Sequence, residues 1–435
     1  MPSLDRNLSM LFTLNLAVSI STQLIQPLFP LYLEGLHATE MEIGLVIALS
    51  SVAATALMLP SGLLIDRVGK RRMLLLSVTL ATFPTAILSV IGDWRMVIPF
   101  AMILNASFSF FIPARMALIA ESTTPENRAT LFGLMNIAWP IGGIVGPVMS
   151  GYLVERFGWS LNFLVSAAII AVSIIPTALL REERAEPAVT APDAPRVSLL
   201  DRRYLPSMVL FFAFHFVMTT GIGGVNMILP LFLKNRFHLS YSLIGLFFTS
   251  TSVVTLLTQI PSGYLADRYG RKRLLVACIA AIPILIGVWP LIDSWILLMV
   301  LFTAAFGLWS MTWPSTLALL SDSVPAEVIG TAFGVRMTGI RLGFTVGPIL
   351  AGFLYSAHGP SAPFLAAALF HLLGIPLALL FRDNQGAADE IDPQGMETDH
   401  PAEKAPPSAV TTQKHGSHPV SNPLNPGHND KSQLD

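Results

Sequence analysis

The chain has 435 residues, 53% of them hydrophobic and only 12% charged, with a mean hydropathy of +0.64. An ordinary soluble domain carries roughly 25% charged residues, so this chain lacks the polar side chains to cover a water-exposed surface and reads as a membrane protein. The single cysteine, Cys278, excludes an intrachain disulfide and a thiolate metal cage and reads as a small apolar packer.

A transmembrane helix needs about 20 apolar residues to cross a hydrocarbon core of roughly 30 Å. The first half of the chain predicts six such spans, over 9–33, 43–65, 73–92, 96–120, 130–154 and 160–180. Residues 181–205, with Pro187, Pro192 and Pro195 among mixed charges, read as a linker. Six further spans follow over 206–233, 243–265, 274–292, 295–320, 330–356 and 361–381. Residues 383–435 are polar and rich in Pro, Gly, Asn and charge, the composition of a disordered tail. The tail histidines His400, His415, His418 and His428 are too scattered for a metal site. The domains are therefore 1–180, a linker at 181–205, 206–382, and the tail at 383–435. The only other spanning solution is a β-barrel, which these long unbroken apolar runs exclude because they lack the alternation of barrel strands. The first run is too long for a signal-peptide core and lacks a small-residue cleavage site, so it reads as a retained anchor.

One stretch occurs twice, as Pro60-Ser-Gly-Leu-Leu-Ile-Asp-Arg-Val-Gly-Lys-Arg-Arg72 and as Pro261-Ser-Gly-Tyr-Leu-Ala-Asp-Arg-Tyr-Gly-Arg-Lys-Arg273, 201 positions apart. The same offset relates Gly44 to Gly245, Trp94 to Trp295, Glu121 to Asp322, Gly146-Pro147 to Gly347-Pro348 and Gly158 to Gly359. A period this long marks two copies of one domain. Both repeated loops are basic (Arg67, Lys70, Arg71, Arg72; Arg268, Arg271, Lys272, Arg273), as is the linker, whereas the opposite loops hold only Arg95, Arg156, Lys234 and Arg236. The positive-inside rule places the basic loops and both termini in the cytoplasm of a cell-membrane protein.

Asp66 and Asp267 sit where the second and eighth helices end. A carboxylate there is favoured only if it faces the N-terminus of a neighbouring helix. Gly62 and Gly263 permit close helix approach, and Gly69 and Gly270 supply sharp turns. The pattern Gly-x-x-x-Asp-Arg-x-Gly-(Arg/Lys)-(Arg/Lys), present after helices two and eight of a twelve-helix chain, resembles the signature loop of the major facilitator superfamily. The resemblance covers residues 5–382. It implies an all-α membrane protein with two six-helix bundles related by pseudo-twofold symmetry, and a substrate bound between them and reached from one side at a time. It further implies a cytoplasmic gate in which Asp66 and Arg67 meet the start of helix eleven near Gly330 and Thr331, with Glu121 as acidic partner and Arg71 beside them. The mirror gate joins Asp267, Arg268 and Asp322. The alternative is that these charges only anchor loops.

Helices five and eleven share Gly142-x-x-x-Gly146-Pro147-x-x-Ser150-Gly151 and Gly343-x-x-x-Gly347-Pro348-x-x-Ala351-Gly352. Small residues every four positions let membrane helices pack closely. The first copy is also similar to a motif of the superfamily's twelve-helix drug:proton antiporters, although Ser150 replaces the first glycine of the usual pair.

Ionisable residues inside a membrane are costly and become functional candidates. Arg341 lies about 16 Å into its helix, on the side away from Gly339 and Gly343, so it should face a wet cavity. No Asp or Glu falls mid-span, which leaves either an anionic substrate group or water and carbonyls as its partner. Arg115 and Arg336 lie nearer the basic end and are expected to pair with Glu121, Asp322 or Glu327. His215 either carries a proton or is a core histidine bonded to a backbone carbonyl. Gln23, Gln26, Asn105 and Asn226 either hydrogen-bond substrate or join helices. Trp309 and Trp313 share a face and either stack on a flat ligand or pack.

The reading is a secondary active transporter, most simply a monomer in the lipid bilayer, exporting a small amphipathic or drug-like compound against entering protons. Its alternatives are uptake or exchange of an organic anion held by Arg341, and a non-transporting receptor or scaffold. Proton-driven exporters carry a basic residue in mid helix four, where this chain has Met102, and often a buried carboxylate, for which Glu34 and Asp66 are the nearest candidates. No nucleophile beside a base, metal cluster or phosphate-binding glycine loop appears, so an enzyme, a cofactor or metal, a nucleic-acid partner and ATP drive are not expected.

Overall fold

In the computed structural model the described residues are 6–123, 128–181, 204–325 and 328–381, and they are almost entirely helical. The 181–205 linker, apart from residues 181, 204 and 205, and the 383–435 tail lie outside them. A bilayer supplies no water to backbone amides, so each crossing must satisfy its own. The first span is α1 (Arg6–Ile25) and α2 (Phe29–Gly35), interrupted by a 3₁₀ turn at Gln26–Leu28 that carries Pro27. The second to fourth are α3 (Glu40–Val68), α4 (Lys70–Ile87) and α5 (Trp94–Glu121). α6 (Arg128–Leu179) holds the fifth and sixth together, broken at Gly158, whose φ of 81° is reached cheaply only by glycine. The seventh to twelfth are α7 (Leu205–Phe237), α8 (Tyr241–Tyr269), α9 (Arg271–Gly287), α10 (Trp295–Ser323), α11 (Ile329–His358) and α12 (Ala362–Leu379). Among the described residues, ten stretches are by themselves long and apolar enough to cross. Counting both halves of α6, and α4, whose first turn is Lys70-Arg71-Arg72, completes the twelve.

The duplication repeats at the level of helix ends. Thr39 caps α3 in a reciprocal box with Glu42, and Ser240, 201 positions on, caps α8. Asp93 caps α5 and its counterpart Ser294 caps α10. Gly69 and Gly270 make the turns into α4 and α9 with φ of 97° and 90°. The end of the molecule carrying these turns is the motif face below, and the other end is the opposite face.

In the first half α1 packs on the fifth span, α3 on α5, and α4 on α5 and the sixth span; in the second, α7 packs on α11 and α12, α8 on α10, and α9 on α10 and α12. The small-residue ladders act inside each half. A side chain added at Gly142 or Gly146 would strike Ser19 or Gln23 of α1, and one at Gly343 or Gly347 would strike Phe216, Thr219 or Thr220 of α7. Ser150 uses its hydroxyl in the same seam, donating to the Leu24 carbonyl at 2.6 Å. Both copies of the motif therefore pack helices, as small-xxx-small patterns do.

The halves meet mainly through α3 with α11 and α6 with α8. Gly44 lies against the backbone of Pro348 and Ile349, and its counterpart Gly245 against Pro147 and Val148. Gly151 meets Tyr241 and Ser242, while Gly352 meets Glu40 and Met41. All four contacts lie toward the opposite face, and each pair is related by the internal repeat. At the motif face, Gly62, Gly133, Gly263, Gly330 and Gly334 have no atom of the described residues within 4 Å of where a side chain would begin. The expectation that Gly62 and Gly263 bring helices together is thus not met, because the halves are parted at that end.

Gly245→Leu should prevent α8 from closing on the Pro147 carbonyl. In a Cys278→Ser background, a cysteine introduced at Asn226 should then react faster with a membrane-impermeant maleimide added from the opposite face. Unchanged labelling would mean that another contact holds that face shut.

Candidate substrate chamber

Between the halves lies a chamber of about 710 Å³, the size of pocket that takes one drug-sized molecule. Its wall is drawn from both halves. α1 and the 3₁₀ turn supply Gln23 and Gln26, α5 supplies Asn105, α7 Asn226, α10 Trp313, and α11 Arg341. The rest is largely apolar: Phe29, Phe108, Trp139, Phe248, Phe306 and Phe344. The aromatic residues other than Trp313 escape a search for polar residues in apolar spans. Phe344 had a usable signal, since Met337, Arg341, Phe344 and Pro348 recur at one helix face and all line the chamber.

Among the described residues, the amides of Gln23, Gln26 and Asn226 are not drawn into helix-to-helix bonds, and Asn105 spends only its NH₂ group, on the Ala101 carbonyl at 3.1 Å. The Arg341 guanidinium has no hydrogen bond or ion pair among the described residues. It is the one ionisable side chain on the described wall.

Two expected chamber residues lie elsewhere. Trp309 does not reach the wall; it packs edge-on against Trp313 at 6.4 Å and against His371 at 6.0 Å. The two tryptophans share a helix face, but the bundle wraps around one of them. His215 is buried inside the second half, its Nδ1 2.9 Å from the Phe211 carbonyl and its Nε2 3.0 Å from Arg336 Nε. Arginine only donates, so Nε2 accepts and the proton sits on Nδ1. Arg336, 2% exposed, also reaches Thr316 Oγ1 at 3.4 Å and stacks over Trp313.

That arrangement corrects the expected acidic partners of Arg336 and Arg115. Asp322 is taken by Arg271 at 2.7 Å, and Glu121 by Lys70. Glu327 lies outside the described residues. Arg115 instead donates to Asn15 Oδ1 at 2.6 Å, and Asn15 donates to the Met135 carbonyl at 2.6 Å. Counted along the repeat, Arg115 corresponds to Thr316 and Met135 to Arg336. Each half therefore buries one arginine at the same place but supplies it from a different helix.

The charges of the repeated loops are arranged within the halves. Lys70–Glu121 and Arg271–Asp322 are corresponding ion pairs, each tying the start of one helix to the end of its neighbour. Arg71 donates to the Ala178 carbonyl at the end of α6. Arg67 is exposed, and Asp267 is exposed. Arg268 bonds Tyr264 Oη at 3.1 Å on its own helix. The side chain of Asp66 and residues 124–127 lie outside the described residues. Among the described residues the expected bond from Arg67 to Gly330 and Thr331 is absent, and open space surrounds Gly330. Its physical reason is the separation of the halves at this end.

Besides a buried bond from Thr249 Oγ1 to the Ile144 carbonyl at 2.9 Å, the bonds across the halves lie at the opposite face. Asn235 Nδ2 donates to Glu34 Oε1 at 2.8 Å, and these two residues are counterparts in the repeat, bonded across the pseudo-twofold axis. Glu155 accepts from Ser242 Oγ at 2.5 Å and from its amide at 3.2 Å. Trp159 packs edge-on against Tyr241 at 5.6 Å, with Lys234 over the same ring.

Two outcomes are expected. Arg336→Leu strands the acceptor of His215 and should cost about 1–3 kcal/mol, whereas His215→Gln keeps an acceptor and should lower the unfolding temperature less. Equal losses would remove the hydrogen bond as the cause. The bonds from Ser242 hold the Glu155 carboxyl below its usual range. A depressed value means the contact is complete above the ordinary carboxylate pKa of about 4.3 and is lost as pH falls through the lowered one. The distance between spin labels at Arg156 and Leu243 should lengthen only below that range, and Glu155→Gln should lack this step. A wild-type distance constant with pH would refute it.

The family model of the Major Facilitator Superfamily matches residues 11–220 and again 211–420. The chain is similar to "Multidrug resistance protein 2" of Bacillus subtilis, with 25% identity over 377 residues covering 85% of this chain and 93% of the relative. It is also 25% identical over 363 residues to "Multi-drug resistance efflux pump PmrA" of Streptococcus pneumoniae, covering 82% and 90%. The crystal structure of the nucleoside transporter NupG shares its fold at a TM-score of 0.72 and 15% identity, covering 86% of this chain and 98% of that one. With two six-helix bundles around one chamber, the chain belongs to the major facilitator superfamily and is a multi-pass membrane transporter of small molecules, not an enzyme.

Proposed function

We propose that the chain exports small amphipathic compounds from the cytoplasm by alternating access, driven by proton entry. The observation that carries the reading is a chamber between two bundles, shut at one face by repeat-related contacts and open at the other. The excess of Lys and Arg in the repeated loops supports placing the open face in the cytoplasm, where an exporter would take up its substrate. The names of the two relatives, both drug-resistance proteins, support export of drug-like molecules. In the second state the motif face closes, bringing Asp66 and Arg67 to the start of α11 and Asp267 and Arg268 to the start of the fifth span, while the Gly44 and Gly245 contacts part. The domain bounds of 1–180, 181–205, 206–382 and 383–435, and action as a monomer, belong to this proposal.

The chamber wall has no carboxylate among the described residues, so the proton is carried elsewhere. His215 is the candidate, because its Nε2 already faces a donor and binds a proton only once Arg336 withdraws. A swing of the Arg336 side chain away from His215, over the ring of Trp313 on the chamber wall, would exchange one for the other without moving α11 against α7.

Purified protein in liposomes with an imposed proton gradient should move a lipophilic fluorescent dye toward the acidic compartment. His215→Gln should still insert and bind dye but lose the response to the gradient. Flux indifferent to the gradient in the wild-type protein would defeat the proton reading, and no flux at all would defeat export.

A further inference from the structure

We infer that the substrate carries an anionic group on an aromatic or flat apolar body, with Arg341 as the anchor that selects the sign of its charge. The inference rests on the transporter reading and names the substrate class of the same chamber. Three observations carry it. Arg341 stands twelve positions into the thirty-residue α11, about 18 Å from its start, where bulk water is farthest from both ends. Its guanidinium is half-buried and lacks a partner among the described residues, although the two buried arginines each have one: Arg115 has Asn15, and Arg336 has His215 and Thr316. No Asp, Glu or Lys shares the described chamber wall.

An unpaired charge at membrane depth is retained at a cost, and a carboxylate or sulfonate docking on it in the fork geometry of guanidinium relieves that cost. The amides of Gln23, Gln26 and Asn226 each offer both a donor and an acceptor, so they serve any polar group and do not choose a charge. Arg341 does. A cation entering the same space would meet one positive charge and no negative one. The apolar body is read from the wall: Phe344, one turn from Arg341 on the same helix face, and Trp139 across the chamber on α6 offer ring surfaces to a flat ligand.

The test uses three probes of one size and different charge: 2-naphthoate, 2-naphthamide and 2-naphthylmethyl-trimethylammonium. Binding to the purified full-length protein is followed by calorimetry and by the shift in unfolding temperature. Wild type should bind naphthoate at least tenfold more tightly than naphthamide and leave the ammonium unbound. Arg341→Gln should lose that preference, with naphthoate affinity falling tenfold or more while naphthamide affinity stays. Arg341→Lys should keep the preference for the anion at reduced strength. Because Arg341 bonds no other described side chain, both variants should retain the wild-type unfolding temperature, and a lowered one would identify it as structural and overturn the proposal. Equal or tighter binding of the ammonium, failure of naphthoate to bind, or naphthoate affinity unchanged in Arg341→Gln would also overturn it. Counterflow in liposomes separates the two readings. Charge-selective binding without flux would sink transport and leave the anion site standing, whereas flux of the ammonium unaffected by Arg341→Gln would do the reverse.

Discussion

Backbone-to-backbone approach at four glycines is the contact on which the architecture rests. Gly44, Gly151, Gly245 and Gly352 let the two halves touch where any side chain would hold them apart, and they do so only toward the opposite face. The halves are therefore wedged rather than fused: joined at one end, parted at the other, with the chamber between. A uniform interface of large apolar side chains would have filled that space and left no cavity. Small residues give close packing without bulk, and such contacts can be broken and remade because they rest on shape rather than on buried ion pairs.

The same economy of contact separates what is rigid from what can move. Within each half, the ladders on the fifth span and α11 lock onto α1 and α7, and corresponding ion pairs, Lys70 with Glu121 and Arg271 with Asp322, tie neighbouring helices at the motif face. These bonds do not cross from one half to the other, so the proposed rocking motion would leave them unchanged. Of the bonds that do cross, Asn235 to Glu34 and Ser242 to Glu155 lie near solvent, where water can replace a lost partner, while Thr249 donates to the Ile144 carbonyl from a buried position.

Duplication gave the halves one plan, and their differences mark the chemistry. Each half buries an arginine at the same locus, but the first satisfies it with the amide of Asn15 and the second with the imidazole of His215. An amide cannot take a proton and an imidazole can. The first span is likewise broken at Gln26-Pro27-Leu28 while α7 runs through unbroken, which turns Gln26 toward the chamber from one side only. Arg341 has Pro140 as its counterpart in the repeat, so the charge of the chamber also comes from one half.

The spans, the duplication and the two glycine ladders were legible in the sequence because each is a local pattern imposed by bilayer thickness, by helical period or by the repeat itself. The face of Arg341 was legible for the same reason, since its angle to Gly339 and Gly343 is fixed by one helix. The partners of Arg115 and Arg336 were not. Charge pairing pointed both to carboxylates that Lys70 and Arg271 occupy, while their actual partners, 100 and 121 positions away, are set by which helices touch. Trp309 and Trp313 have identical credentials in sequence, and only the packing of α12 decides that one is covered and the other lines the chamber. The loops at the motif face carry the residues proposed for closure, yet the halves stand open there. Which end is joined was not legible, because the repeat places matching glycines and charges at both ends, and only the tertiary arrangement shows which set of contacts is formed.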